Sequence, residues 1–162
     1  MKTRSNIETL PQEKIDEFLS ANRIGVLCLA DEKVPYGIPL AYFYEQGTVY
    51  LTLSRSGRKL ACISRNPKAC FTVYRVPETF GTPGNMSWTS VICEGELENI
   101  TDPDELSQAV RTGERHMGMP EGTWENLLQM TLKNPGQSNF WKLSVTAAGG
   151  RSVEDEQVEF SE

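Results

Sequence analysis

The sequence predicts a mainly β protein, a six-stranded antiparallel barrel with flanking helices, on three observations. Its strand-like runs follow one another across turns short enough for antiparallel hairpins. Its helical patterns stand at the ends of the strand series, with one short crossover helix between, instead of alternating with strands as βαβα units do. It also carries no G-x-G-x-x-G, Walker or G-x-S-x-G motif, the signatures of the commoner nucleotide-binding and hydrolase folds.

Thr9, Pro11 and Glu13 precede Ile15, Phe18 and Leu19, the pattern of a capped amphipathic helix that ends near Asn22 and lays one apolar stripe on a sheet. Ile24 to Ala30 is a near-continuous apolar run and the first strand, Tyr36 to Tyr44 the second, Thr48 to Leu53 the third. Asp31-Glu32-Lys33 and Glu45-Gln46-Gly47 supply the turns. Pro35 and Pro39 bracket the start of the second strand, and a strand proline removes a ladder N–H. Pro39 therefore marks a bulge, an edge strand, or a place where a planar ligand lies along the chain. A short helix opens at Gly57, with Leu60 and Ile63 at helical spacing, before Ala69, Phe71 and Val73 alternate as the fourth strand.

Val76 to Asn85 is a loop with two prolines and two glycines, followed by a long fifth strand from Met86 to about Ile100. Asp102-Pro103-Asp104-Glu105 is a helix start with an N-cap, proline at N1 and acids in the first turn; Leu106, Ala109, Val110 and Met117 mark its inner face. A further helix is expected over Gly122 to Leu132, with Trp124, Leu127 and Leu128 inward, stopped by Asn134-Pro135-Gly136. Ser138 to Val145 is the sixth strand. Residues 1–150 are expected to form one domain, and 151–162 an acidic tail, carrying Glu154, Asp155, Glu156 and Glu159, that is mobile in part.

A chain of 162 residues is long enough to bury about 70% of its unfolded surface. No apolar run approaches the roughly 20 residues of a membrane span, and the N-terminus MKTRSNIETL lacks the apolar core of a signal peptide, so a cytoplasmic protein without a membrane partner is expected. Cys28, Cys62, Cys70 and Cys93 lie in apolar segments without C-x-x-C spacing, and there is one histidine. That argues against a zinc site and for reduced, buried thiols.

The charges are unevenly placed. From Gln46 to Pro77 there is no Asp or Glu, while Arg55, Arg58, Lys59, Arg65, Lys68 and Arg75 supply six positive charges in a chain whose formal net charge is −6. A nucleic-acid binder is expected to be basic overall, whereas one basic segment on an acidic protein suits a small anionic ligand or else a solvated edge. Arg58 and Lys59 in a helix first turn have the wrong sign for the helix dipole. They make sense if an anion is held there, with the Ser54 and Ser56 hydroxyls as further donors.

Several weak motifs then agree in spacing: Val34-Pro35-Tyr36 through Pro39, Gly47-Thr48-Val49-Tyr50, Gly57-Arg58-Lys59, Asn66-Pro67-Lys68-Ala69, and Trp88-Thr89-Ser90-Val91 with Gly95. Over roughly residues 15 to 110 the chain resembles the FMN-binding split barrel of the pyridoxamine 5′-phosphate oxidase-like superfamily, its nitroimidazole-reductase-like branch in particular. The resemblance implies a homodimer with two FMN molecules in clefts between the subunits. It implies that Arg58 and Lys59 contact the FMN phosphate, that Thr52, Leu53 and Ser54 line the phosphate and ribityl chain, and that Ile38, Pro39, Leu40 and Ala41 run past the isoalloxazine with their backbone amides on its polar edge. Ser90, from the second subunit, falls where the oxidase proper has a polar side chain near the flavin, and Trp88 packs close by.

The chain also departs from the pattern. Asn139-Phe140-Trp141-Lys142-Leu143 is followed by an alanine- and glycine-rich stretch where the oxidase proper has a basic segment for substrate, and Thr52 stands where many nitroimidazole-reductase-like members have histidine. The resemblance therefore implies an FMN-dependent oxidoreductase, with NADH or NADPH as electron donor, without naming its substrate. In such an enzyme the flavin does the redox chemistry, so the lack of a conspicuous acid, base or nucleophile is expected. Two other readings keep the fold: a flavin- or haem-binding module that stores or senses, and a reductase using the deazaflavin F420. Of the remaining candidates, His116 at a helix end reads as structural, Trp124 and Trp141 as core, and the Glu94 and Glu96 pair as a solvated or interface face.

Overall fold

The computed structural model describes residues 2–158. In chain order they form β1 (Lys2–Thr9), α1 (Gln12–Ala21), β2 (Ile24–Asp31), β3 (Val34–Ala41), β4 (Phe43–Glu45), β5 (Thr48–Thr52), α2 (Arg58–Arg65), β6 (Lys68–Arg75), β7 (Trp88–Asn99), α3 (Pro103–His116), α4 (Glu125–Leu132), a 3₁₀ turn (Pro135–Gln137) and β8 (Phe140–Val158). The strands make one antiparallel sheet in the order β3-β2-β6-β7-β8-β5-β4, with β1 paired to β8 off that path.

The mainly β, antiparallel architecture with flanking helices is as the sequence predicts, with two corrections. There are eight strands among the described residues, not six, and the sheet does not close: its two ends, β3 and β4, are consecutive in the chain and do not pair. The expected second strand is broken at Tyr42. Its N–H donates to the Arg23 carbonyl at 3.0 Å, outside the ladder. Its ring is fully buried, 5.1 Å from Phe71, and its hydroxyl donates to the Leu19 carbonyl at 2.6 Å. A side chain that large, drawn into the core under α1, turns the strand and separates β3 from β4.

The other extra strand follows from β8, which runs without a break through Gly149-Gly150 to Val158 and so crosses the expected boundary at residue 150. One edge pairs with β7. The opposite edge takes β5 at residues 140–144 and β1 at 151–158. Glu159 lies outside the described residues. Where β7 meets β8 the register shifts between Glu94 and Gly95, and a Cβ on Gly95 would stand 2.2 Å from the Ser144 carbonyl oxygen, so only glycine fits this approach.

Two cores result. Leu27, Phe71, Val73, Val91, Leu143, Val49, Leu51 and Leu53 form the core on the sheet's inner face, together with Ile15 and Leu19 of α1. Phe43, Tyr50, Ile100, Leu106, Val110, Leu128 and Phe140 pack between the β4–β5 hairpin and the helices α3 and α4. His116, the last residue of α3, joins the two: its Nδ1 accepts from Tyr44 N–H at 3.1 Å and its Nε2–H donates to the Asn22 carbonyl at 2.6 Å. This is the structural role the sequence suggests.

Glu114 is buried on α3, where it accepts from Trp124 N–H at 2.7 Å, from Gly122 N–H at 3.0 Å and from Arg111. Burial alone would raise its carboxyl; the two N–H groups and the guanidinium outweigh that and hold it below the ordinary carboxylate range. A carboxyl depressed on folding adds stability that is complete at neutral pH, fades as pH falls below about 4.5 and is lost through the lower folded value. Glu114→Gln is expected to lower Tm at pH 7 by roughly 5 °C and to flatten the acid side of the Tm–pH curve. Thermal melts between pH 3 and 7 check this; an unchanged acid slope would place the acid-sensitive group elsewhere.

Candidate functional site

The basic segment lies at the start of α2. Gly57 holds φ +106, a conformation open to glycine and strained for other residues, and nothing surrounds the position its Cβ would take. No side chain caps the helix, and its first backbone bond, Ala61 N–H to the Gly57 carbonyl, is long at 3.5 Å. The N–H groups of Arg58, Lys59 and Leu60 are therefore the orphan donors of a helix start, with the positive end of the dipole behind them. Leu53, buried at the end of β5, anchors the loop by donating its N–H to the Asn139 carbonyl at 2.8 Å. Thr52 and Ser54 beside it are exposed, and among the described residues Ser54 Oγ reaches only the Ser56 carbonyl, at 3.4 Å.

Arg58 is not a free surface cation. Its Nε–H donates to Asp31 Oδ2 at 2.7 Å and its guanidinium lies over the Tyr36 ring, 4.1 Å from the centroid. The other Asp31 oxygen accepts from Arg65 Nη2. The Arg58 hydrogen bond, joined by both guanidinium charges, holds the Asp31 carboxyl below the usual range. Lys59 is half-buried and makes no ion pair among the described residues.

β3 ends the sheet, so one backbone edge of it is free. Alternate residues of a strand turn their N–H and C=O to the same edge. Pro35 and Pro39 have no N–H to give β2, which puts both nitrogens on the free edge together with the N–H groups of Gly37 and Ala41. Of the expected Ile38–Ala41 amides, Ala41 N–H and the carbonyls of Pro39 and Ala41 are thus the ones open to a ligand, while Ile38 and Leu40 bond to β2 and turn half-buried side chains inward. Arg58, stacked on Tyr36, brings the helix start against this strand.

Trp88 and Ser90 do not join them within one chain. They stand on β7, three strands from β3, or roughly 15 Å across the sheet. Ser90 pairs with Tyr74 and Arg151, and Trp88 is partly exposed at the sheet's outer face. A hollow of about 990 Å³ lies elsewhere on that outer face, around Cys28, Cys70, Glu94 and Glu96. A smaller one of about 490 Å³ is bordered by Thr52, Met130, Ser138 and Phe140.

Cys62 and Cys93 are buried, as expected; Cys28 and Cys70 are only half-buried and face each other across β2 and β6. Burial pushes the Cys93 thiol up to about 11. Glu94 and Glu96 are exposed on the outer face. No helix among the described residues is long and apolar enough to cross a membrane.

Two residues of the site were not found in the sequence, Asp31 and Tyr36. Asp31 reads there as a turn residue and Tyr36 as a strand residue. The usable signal was Arg58 and Arg65, two helical turns apart and hence on one face of α2, which calls for a shared acid.

The fold has counterparts in solved structures. A provisionally named 5-nitroimidazole antibiotic resistance protein from Bacteroides thetaiotaomicron superposes with a TM-score of 0.75 at 19% identity, over 97% of this chain and 96% of that one. A FAD-binding protein from Mesorhizobium loti gives 0.64 at 23% identity, over 93% and 99%. The flavocytochrome Anf3 from Azotobacter vinelandii gives 0.68 at 19%, over 95% and 82%. At these identities the likeness is one of fold. No curated protein matches the chain. The sequence model of the family described as pyridoxamine 5′-phosphate oxidase matches residues 11–152, nearly the whole chain, and the protein belongs to that family.

Proposed function

We propose that the protein is a homodimeric FMN-binding flavoprotein and an FMN-dependent oxidoreductase acting on a small molecule, with NADH or NADPH as electron donor. The observation that carries the reading is the uncapped start of α2. Orphan N–H groups, the Lys59 ammonium and the unoccupied part of the Arg58 guanidinium form a donor set suited to a terminal phosphate, next to a strand whose free edge offers Ala41 N–H and two carbonyls to a polar ring edge. Arg58, Lys59 and Ser54 would hold the phosphate, and Pro39 and Ala41 the ring. When bound, the flavin supplies the electron transfer, and the protein binds, orients and shields it.

The dimer is supported by the outer face of the sheet. Ile24 on β2, Tyr74 on β6 and Ile92 on β7 are 66%, 63% and 47% exposed on three adjacent strands, with Trp88 beside them. A second copy laid on this face would cover them and bring its own Trp88 and Ser90 toward β3, giving those residues the place they lack in one chain. A flavin named in the Mesorhizobium loti protein and a flavocytochrome among the neighbours fit the cofactor class. Haem ligation by histidine has no residue available here, since both ring nitrogens of His116 are engaged.

The test is the visible spectrum and the sedimentation of the purified protein. A flavin spectrum bleached by NADH or NADPH and restored by an acceptor, from a dimer at micromolar concentration, is the expected result. Flavin that binds but never cycles would favour a sensing or storing role, and a monomer would remove the intersubunit site.

A further inference from the structure

Building on the phosphate assignment above, we infer that Asp31 is the positioning residue for that contact, fixing Arg58 so that both of its Nη amino groups are left for the ligand. The bond it makes is to Nε, not to the fork. Among the described residues neither Nη of Arg58 donates a hydrogen bond, so the two parallel donors that match a phosphate edge stay available. Tyr36 holds the guanidinium plane from one side. An arginine half exposed at a helix start would otherwise sample many rotamers, and each would have to be given up on binding.

A carboxylate beside a phosphate also repels it, and the structure contains the answer to that objection. Arg65, two turns along the same helix face, takes the second Asp31 oxygen, so the Arg58–Asp31–Arg65 group keeps a net positive charge. The Asp31 side chain is half-buried and each of its oxygens is held by a guanidinium, which limits its motion. Orientation therefore outweighs repulsion, and removing the carboxylate should weaken phosphate binding instead of strengthening it.

The experiment titrates the full chain, freed of flavin, with FMN and with riboflavin, which lacks the phosphate, and follows flavin fluorescence. Asp31→Asn is expected to weaken FMN about tenfold, leave riboflavin unchanged, and add nothing further in an Arg58→Ala background. An equal loss for both ligands would make Asp31 merely structural. Tighter FMN binding would make it a competitor of the phosphate, and an effect that persists without Arg58 would show that it acts elsewhere; each of these overturns the inference. If Arg58→Ala leaves FMN affinity intact, the phosphate assignment itself fails, and the inference with it.

Discussion

Arg58→Ala combined with Lys59→Ala is expected to weaken FMN binding by about 100- to 1,000-fold, so that the protein purifies without its flavin. Both cations stand in the first turn of α2, where the helix end is already positive and no acid within the helix's first turn offsets them. Without a bound anion they are unfavourable for the helix, so their removal should not unfold the protein. Arg58 gives up its bond to Asp31 in the variant, but Asp31 keeps Arg65 and stays paired. Flavin content per protomer measured by absorbance, with circular dichroism as the folding control, checks both halves. A double variant that retains stoichiometric FMN would mean that the phosphate lies elsewhere.

Tyr42→Ala carries the largest expected cost in stability, about 3–5 kcal/mol. The side chain is 0% exposed, its ring meets Phe71 edge-on at 5.1 Å and His116 at 5.3 Å, and its hydroxyl satisfies the Leu19 carbonyl at the end of α1. Truncation leaves a cavity and an unpaired carbonyl together. Tyr42→Phe keeps the ring and loses only the hydroxyl bond, for about 1–2 kcal/mol. Urea unfolding of both variants separates the terms: the alanine variant should have the clearly lower midpoint at similar slope. Equal losses would mean that the ring, and with it the turn between β3 and β4, contributes little.

How much of this was legible depended on how local each feature is. α3 was readable to its cap, and Asp102 does accept from Glu105 N–H at 3.0 Å, because Asn/Asp capping is a matter of three residues. β2 was readable as a near-continuous apolar run and β6 from the alternation of Ala69, Phe71 and Val73, both patterns set by neighbouring residues alone. β1 was not readable: KTRSNIET has no apolar period, and it becomes a strand only because β8 extends past Gly150 and offers an edge. Tyr42 reads as one more residue of a strand, since the pull that breaks it comes from Arg23 and Leu19, some twenty residues away. In the site, Arg58 and Lys59 were visible from helix electrostatics alone. Asp31, 27 residues earlier, was not, and Trp88 and Ser90 stand three strands away from β3.

The pairing of β5 with β8 also decides the order in which the protein can be put together. The loop from Leu53 to Gly57 is held on one side by β5, which among the described residues pairs with the small β4 and with β8, and on the other by α2 and β6, which belong to the opposite half of the sheet. On a ribosome the β2–β3 hairpin and the β6–β7 hairpin can form as they emerge, but β5 has nothing lasting to rest on until Phe140 to Ser144 has been made. The loop ahead of α2 is thus among the later parts to be fixed, and it takes its final place only once the Phe140–Ser144 segment has been made.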